Sequence, residues 1–103
     1  MDETIKQRIQ NDISQNKVML YMKGTPEEPQ CGFSAQAVGI LKEYNVPLKT
    51  FNIFDDEDIR QGIKEFSDWP TIPQLYVNGE FVGGCDIITE LHNNGELAKI
   101  LGT

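Results

Sequence analysis

Chemistry in this sequence begins with Cys31. It stands between a polar stretch containing Gly24, Pro26 and Pro29 and a run with helical spacing that starts at Gly32. A cysteine at a helix start meets unpaired N–H groups and the positive end of the helix dipole, and both favour the thiolate. A depressed thiol pKa at such a place is the usual route to a reactive cysteine. The competing fate is a small buried thiol, which fits poorly with a polar loop rich in glycine and proline. Ser34 occupies the place where a C-x-x-C redox motif has its second cysteine. Serine forms no disulfide, so a dithiol cycle through this motif is excluded. Cys31 must use an external thiol, or Cys85, as its partner. Without that spacing Ser34 would be an ordinary first-turn serine. His92 has no Cys or His cluster near it and reads as a surface residue, and Trp69 reads as packing.

The elements that position these residues follow from hydrophobic spacing. Ile5, Ile9 and Ile13 recur at i, i+4 and i+8, an amphipathic helix. Val18 to Met22 is a continuous apolar run and reads as a strand buried on both faces. Lys23 to Gln30 must be a loop. Gly32 to Tyr44 is helical, with Ala37, Leu41 and Tyr44 on one face, and Asn45-Val46-Pro47 stops it. Leu48 to Ile53 reads as a second strand. Asp55-Asp56-Glu57-Asp58 opens a helix running to about Phe66, its acids suited to the positive end of the dipole. Trp69 to Pro73 cannot be helical. Gln74 to Val77 and Glu80 to Gly83 flank Asn78-Gly79, a strong hairpin signal. Gly83-Gly84 permits close backbone approach or a positive φ. Asp86 is then placed to cap a last helical stretch, interrupted near Asn94-Gly95. The order α-β-α-β-α-β-β-α implies a right-handed crossover between two parallel strands and an added antiparallel hairpin. The fold class is α/β, a mixed four-stranded sheet flanked by helices.

The chain has 103 residues, 39% of them apolar, which suits one compact core and one domain over residues 1–103. Its net charge of −7 argues against nucleic acid and against anionic membrane. Residues 1–17 carry Asp2, Glu3 and Asp12 and no apolar run, which disfavours a secretory or transit segment. No stretch approaches the ~20 apolar residues of a membrane span. Two cysteines are too few for a secreted disulfide framework. The expected compartment is therefore the reducing cytosol, although a processed organellar protein would look the same.

Cys31-Gly32-Phe33-Ser34 resembles the signature of the monothiol glutaredoxins. Lys23-Gly24-Thr25-Pro26 precedes it, and Trp69-Pro70-Thr71-Ile72-Pro73-Gln74 and Gly83-Gly84-Cys85-Asp86 follow, all in that family's order and together spanning most of the chain. The resemblance implies a thioredoxin-like (glutaredoxin) fold and glutathione laid across Cys31. It implies that Lys23 pairs with the glycyl carboxylate or supports the thiolate, and that Arg60 reaches the same carboxylate. Arg60 has a competing reading, an i, i+4 surface pair with Asp56, and Gln61 and Lys64 are weaker candidates nearby. It implies a cis peptide at Ile72-Pro73, with the backbone of Ile72 pairing with the cysteinyl unit. Gly84 would allow close approach, and the N–H groups of Cys85 and Asp86 would take the γ-glutamyl carboxylate. The Asp86 carboxylate would take the γ-glutamyl ammonium, a role compatible with capping. Cys85 remains either a buried thiol or a disulfide partner of Cys31. The family also implies a [2Fe–2S] cluster. Four thiolates are needed, and one Cys31 and one glutathione from each of two copies supply them, giving a homodimer bridged by the cluster. The implied partners are BolA-type proteins and iron–sulfur acceptor proteins. A glutathione-dependent monothiol reductase acting on protein–glutathione mixed disulfides is the alternative.

Overall fold

The computed structural model describes residues 1–103. Its elements are α1 (Glu3–Gln15), β1 (Val18–Met22), α2 (Gly32–Leu41), β2 (Lys49–Asn52), α3 (Glu57–Ser67), β3 (Gln74–Val77), β4 (Glu80–Gly83), α4 (Cys85–Asn93) and α5 (Glu96–Leu101). The sheet order is β2-β1-β3-β4. β1 and β2 are parallel, and β1–β3 and β3–β4 are antiparallel.

β1 is the middle of the molecule because every one of its five residues is buried. Alternate side chains point to opposite faces of a strand. Val18, Leu20 and Met22 accordingly pack with Ala37, Val38, Leu41, Ile88 and Leu97 of α2, α4 and α5. Met19 and Tyr21 pack with Ile9, Ile13, Ile59 and Ile63 of α1 and α3. Each fully buried Leu or Ile contributes about 1.5–3 kcal/mol of apolar transfer, so β1 ties two half-cores into one structure. The hairpin turns where the sequence indicates, with Asn78 at φ 52° and Gly79 at φ 81°, both in the left-handed region that a type I′ turn requires.

Several boundaries shift. α2 ends at Leu41, short of Tyr44, because the chain tightens there into i→i+3 bonds, Glu43 N–H to Ile40 O and Tyr44 N–H to Leu41 O. β2 begins after Leu48 and stops at Asn52. Ile53–Asp55 form a short 3-10 turn whose Phe54 N–H is capped by the Asn52 side chain. α3 therefore starts at Glu57, with Asp56 as its cap. The last helical stretch divides at Gly95, φ 83°, into α4 and α5. Asp86 does not cap α4. Gly84 holds that position and Asp86 is the second helical residue. Crowding favours glycine at that cap: a Cβ at residue 84 would lie 3.2 Å from the Pro73 carbonyl oxygen and 3.4 Å from Trp69 Nε1.

α1 and α3 are joined by Arg8, whose Nη1 donates to Asp56 Oδ2 at 2.7 Å while its guanidinium lies over Phe51, 5.6 Å from the ring centre. The other oxygen of Asp56 accepts from the N–H groups of Asp58 and Ile59. The Arg8 hydrogen bond first, and the Ile59 N–H next, hold the Asp56 carboxyl below the usual aspartate range. The stabilisation is complete above the unfolded-state pKa and is lost as the pH falls through the lower folded value. Asp56→Asn keeps the cap but not the charge. Urea titrations over the acid range should show the wild-type midpoint falling more steeply with acidification than that of Asp56→Asn. Identical acid profiles would remove this ion pair from the account.

Candidate functional site

Cys31 occupies the N-cap position of α2 with extended backbone, φ −158° and ψ 137°, and is half-buried. Its sulfur faces the start of the helix. The main-chain N–H of Ser34 is the strongest influence holding the thiol below the usual cysteine range. Partial burial opposes it, and the Phe33 N–H, the Lys23 charge and the Ser34 hydroxyl add to it. Ser34 itself is fully buried. Its Oγ accepts the main-chain N–H of Lys23 at 3.0 Å, which leaves its single hydroxyl proton for the sulfur. One serine therefore joins the end of β1 to the start of α2 and to the thiolate.

The lysine is fixed by the loop that follows it. Lys23 O accepts from Gln30 N–H at 2.9 Å, and Thr25 and Glu28 exchange two main-chain bonds. Gly24, at φ 89°, lies so close to the returning chain that a Cβ would fall 2.5 Å from both Gln30 N and Glu28 O. Its N–H donates to Asn52 Oδ1 at 3.0 Å, and the same oxygen accepts from Phe54 N–H. Lys42 Nζ binds Pro26 O across the loop. The Lys23 ammonium makes no ion pair of its own.

Beside Cys31 lies a cavity of ≈ 230 Å³ whose walls include Phe33, Trp69, Ile72, Gly84, Cys85 and Asp86. The Ile72-Pro73 peptide is cis. Gln74 is fully buried beneath it: Nε2 donates to Trp69 O and Thr71 O, and Oε1 accepts from Tyr76 OH. Gly83 adopts φ 154°, and a Cβ there would lie 2.7 Å from Ile87 Cβ. Cys85 is buried and its thiol is pushed up, chiefly by burial. The Cys31 charge also raises it slightly, and both are free thiols. Asp86 is exposed at the cavity wall.

Residues 18–82 match the family model described as Glutaredoxin. The chain is 55% identical over 101 residues to a monothiol glutaredoxin, ycf64-like, of Synechocystis, covering 98% of this chain and 94% of that protein. The chain belongs to the monothiol glutaredoxins. It is also 50% identical over 99 residues to the mitochondrial monothiol glutaredoxin-S15 of Arabidopsis thaliana, covering 96% of this chain but only 59% of that protein's length. Among solved structures it resembles reduced poplar apo GrxS14, with a TM-score of 0.81 and 48% identity over 96% of this chain and 94% of that one. The thioredoxin-like fold is thereby established.

Within this glutaredoxin, Lys23, Ile72, Gly84, Cys85 and Asp86 gather around Cys31 or its cavity. Arg60 is not on the cavity wall. It does not pair with Asp56, which Arg8 holds. Its Nη1 instead lies 3.4 Å from Glu57 Oε2, and its buried Nε has no partner. Gln61 reaches Glu57 as well, and Lys64 lies in a shallow depression with Gln61 and Trp69. His92 is no free surface residue: it is half-buried against the turn that follows α2, with Nδ1 2.6 Å from Tyr44 OH. Trp69, read as packing, does pack its ring on Phe81 but is also 40% exposed on the cavity wall, as Phe33 is at 62%. Phe33 falls inside the signature tetrapeptide, so its place by the cysteine was open to reading. Asn52 carries no sequence signal, because its role arises from the distant Gly24 N–H, and Gln74 is marked only as the end of a motif block, which does not disclose what its amide binds.

Native-state alkylation with iodoacetamide at neutral pH should label Cys31 and spare Cys85, as read by peptide mass. Ser34→Ala should move the rate–pH midpoint of Cys31 upward. It should also cost about 1–3 kcal/mol of stability by leaving the Lys23 N–H without an acceptor. An unmoved alkylation profile would show that the hydroxyl does not hold the thiolate.

Proposed function

We propose that this monothiol glutaredoxin binds glutathione in the groove beside Cys31 and carries a [2Fe–2S] cluster as cargo for acceptor proteins. The observation that carries the reading is the inequality of the two thiols. Cys31 is half-buried with its thiol held below the usual cysteine range by helix-start N–H groups, whereas Cys85 is buried and its thiol is pushed up by that burial. No three Cys, His, Asp or Glu side chains of the chain stand together as a metal site. A cluster needs four thiolates and one chain offers one. The donor set fits a cluster only if two copies each bring Cys31 and one glutathione thiolate. Half of the ligands are then small exchangeable molecules, which suits delivery better than permanent retention. The same arithmetic gives a homodimer held by its cargo.

Glutathione fits the groove in one sense. Its glycyl carboxylate meets Lys23, with Arg60 reaching the same group if it gives up Glu57. The backbone of Ile72 runs beside the cysteinyl unit. The γ-glutamyl carboxylate meets the N–H groups of Cys85 and Asp86 after Gly84, and the ammonium meets the Asp86 carboxylate. BolA-type proteins and iron–sulfur acceptors are the proposed protein partners, and the cytosol is the proposed compartment.

The exposure of Cys31 also favours a second activity. The thiolate attacks the glutathione sulfur of a protein–glutathione disulfide, forming a Cys31–glutathione disulfide and releasing the protein thiolate. A second glutathione thiolate attacks that sulfur, releases oxidised glutathione and restores Cys31. Ser34 does not impede this cycle, because it needs one cysteine.

Anaerobic purification with glutathione should give a brown protein with charge-transfer absorption in the visible region. Cys31→Ala should abolish the colour and Cys85→Ala should keep it. Sedimentation should find dimer only in the coloured sample. A colourless wild type that briskly reduces a glutathione mixed disulfide would replace the carrier by the reductase. A stable colourless dimer would defeat the cargo-bridged assembly.

A further inference from the structure

We propose that the indole N–H of Trp69 is a ligand donor, giving a hydrogen bond to the γ-glutamyl carboxylate of glutathione next to the start of α4. The inference rests on the glutathione reading above and adds a residue that recognises one end of the tripeptide.

Trp69 is the sole tryptophan and, although 40% exposed, it is firmly held. Its main-chain N–H donates to Lys64 O at 3.2 Å and to Ser67 Oγ at 3.1 Å. Its carbonyl accepts Nε2 of the fully buried Gln74 at 3.1 Å. Its ring packs against Phe81, with centres 6.0 Å apart. An exposed indole anchored from below by a buried amide is presented to the groove in one orientation.

The edge that carries Nε1 is turned to the start of α4. Nε1 lies 3.4 Å from the point a Cβ on Gly84 would occupy. An indole N–H is a donor only, and this one has no hydrogen-bond partner within the chain. Ile88 N–H, bonded to Gly84 O, is the first of α4 to find an acceptor within the helix. The main-chain donors of Cys85 and Asp86 and the side-chain donor of Trp69 thus converge on one wall, where Asp86 is the exposed carboxylate. That combination of donors around a single carboxylate suits a ligand group in which a carboxylate and an ammonium share one carbon. Of the two carboxylates of glutathione, only the γ-glutamyl one has an adjacent ammonium. Glycine at position 84 serves the same end, since a side chain there would push the indole aside and cover its N–H.

Trp69→Phe keeps an aromatic wall and removes the donor. Calorimetric titration should show glutathione binding weakened about tenfold, the scale of a lost hydrogen bond to a charged group. Glutaryl-cysteinylglycine, which keeps the carboxylate and lacks the ammonium, should show the same loss. With 4-aminobutyryl-cysteinylglycine, which lacks the carboxylate, wild type and Trp69→Phe should bind alike. In the wild type, emission from the single tryptophan should respond to glutathione and the glutaryl analogue and far less to the aminobutyryl analogue, a comparison that needs no folded variant. Equal loss with all three ligands would make Trp69 a wall and overturn the proposal, as would undiminished glutathione binding by Trp69→Phe. Absence of any heat or emission change with glutathione and wild type would instead overturn the glutathione reading, and this inference with it.

Discussion

The hydroxyl of Ser34 is the joint on which this site depends. Its oxygen accepts the Lys23 N–H at 3.0 Å inside the protein, so β1, α2 and the Cys31 sulfur share one buried polar atom. A buried donor left without an acceptor is costly, which makes the arrangement self-enforcing. Moving the helix start away from the strand would break the Lys23 bond and leave both groups unpaired. In a dithiol motif this place holds a second sulfur that leaves the first during each cycle. Here it holds a hydroxyl with no redox chemistry, so the geometry around Cys31 stays constant while external thiols come and go.

That constancy bears on how electrostatics work in an acidic protein. The net charge is −7, and a thiolate adds to it. Distant charges are largely screened in salt, whereas local N–H dipoles are not. The Ser34 and Phe33 N–H groups act at contact distance, and Lys23 is the one cation that contributes. Its N–H is bonded to Ser34, its C=O to Gln30 and the next N–H, that of Gly24, to Asn52, so the ammonium starts from a fixed point although its tip is free. Cys85 lacks these donors, and burial dominates its chemistry. The two cysteines thus have opposite properties because one begins a helix with its sulfur facing open N–H groups and the other lies within the first turn of a second helix.

The sequence was readable where a local rule decides the structure. Five apolar residues in a row at β1 require two covered faces, and Asn78-Gly79 requires a tight hairpin, whatever the rest of the chain does. The motif blocks indicated Cys31, Lys23, Ile72, Gly84, Cys85 and Asp86 as neighbours. The reading failed where the deciding contact is non-local. Asp86 looks like a helix cap, but α4 already begins at Cys85 and Gly84, crowded by the Pro73 carbonyl and the Trp69 ring, holds the cap position. Arg60 and Asp56 are correctly spaced for a pair, but Arg8 from another helix takes the carboxylate first. His92 looks isolated because Tyr44, its partner, is remote in sequence. Gln74 ends a motif block and begins a strand, and neither place shows that its amide is buried against two loop carbonyls and the Tyr76 hydroxyl.

Those non-local contacts share a direction. Asn52 ties the Lys23 loop to the end of β2, Gln74 ties the Trp69–Pro73 segment to β3, and Ser34 ties α2 to β1. Each is a polar side chain at a strand end or in a first helical turn, bonded to the backbone of a segment that borders the cavity or carries the lysine acting on Cys31. Side chains that contact a ligand must be exposed and so cannot be held by burial of their own. A small domain with one core resolves that conflict by burying the anchor one residue deeper than the contact. Rigidity at the groove is then inherited from the sheet, and a flexible tripeptide meets walls that need little reordering on binding.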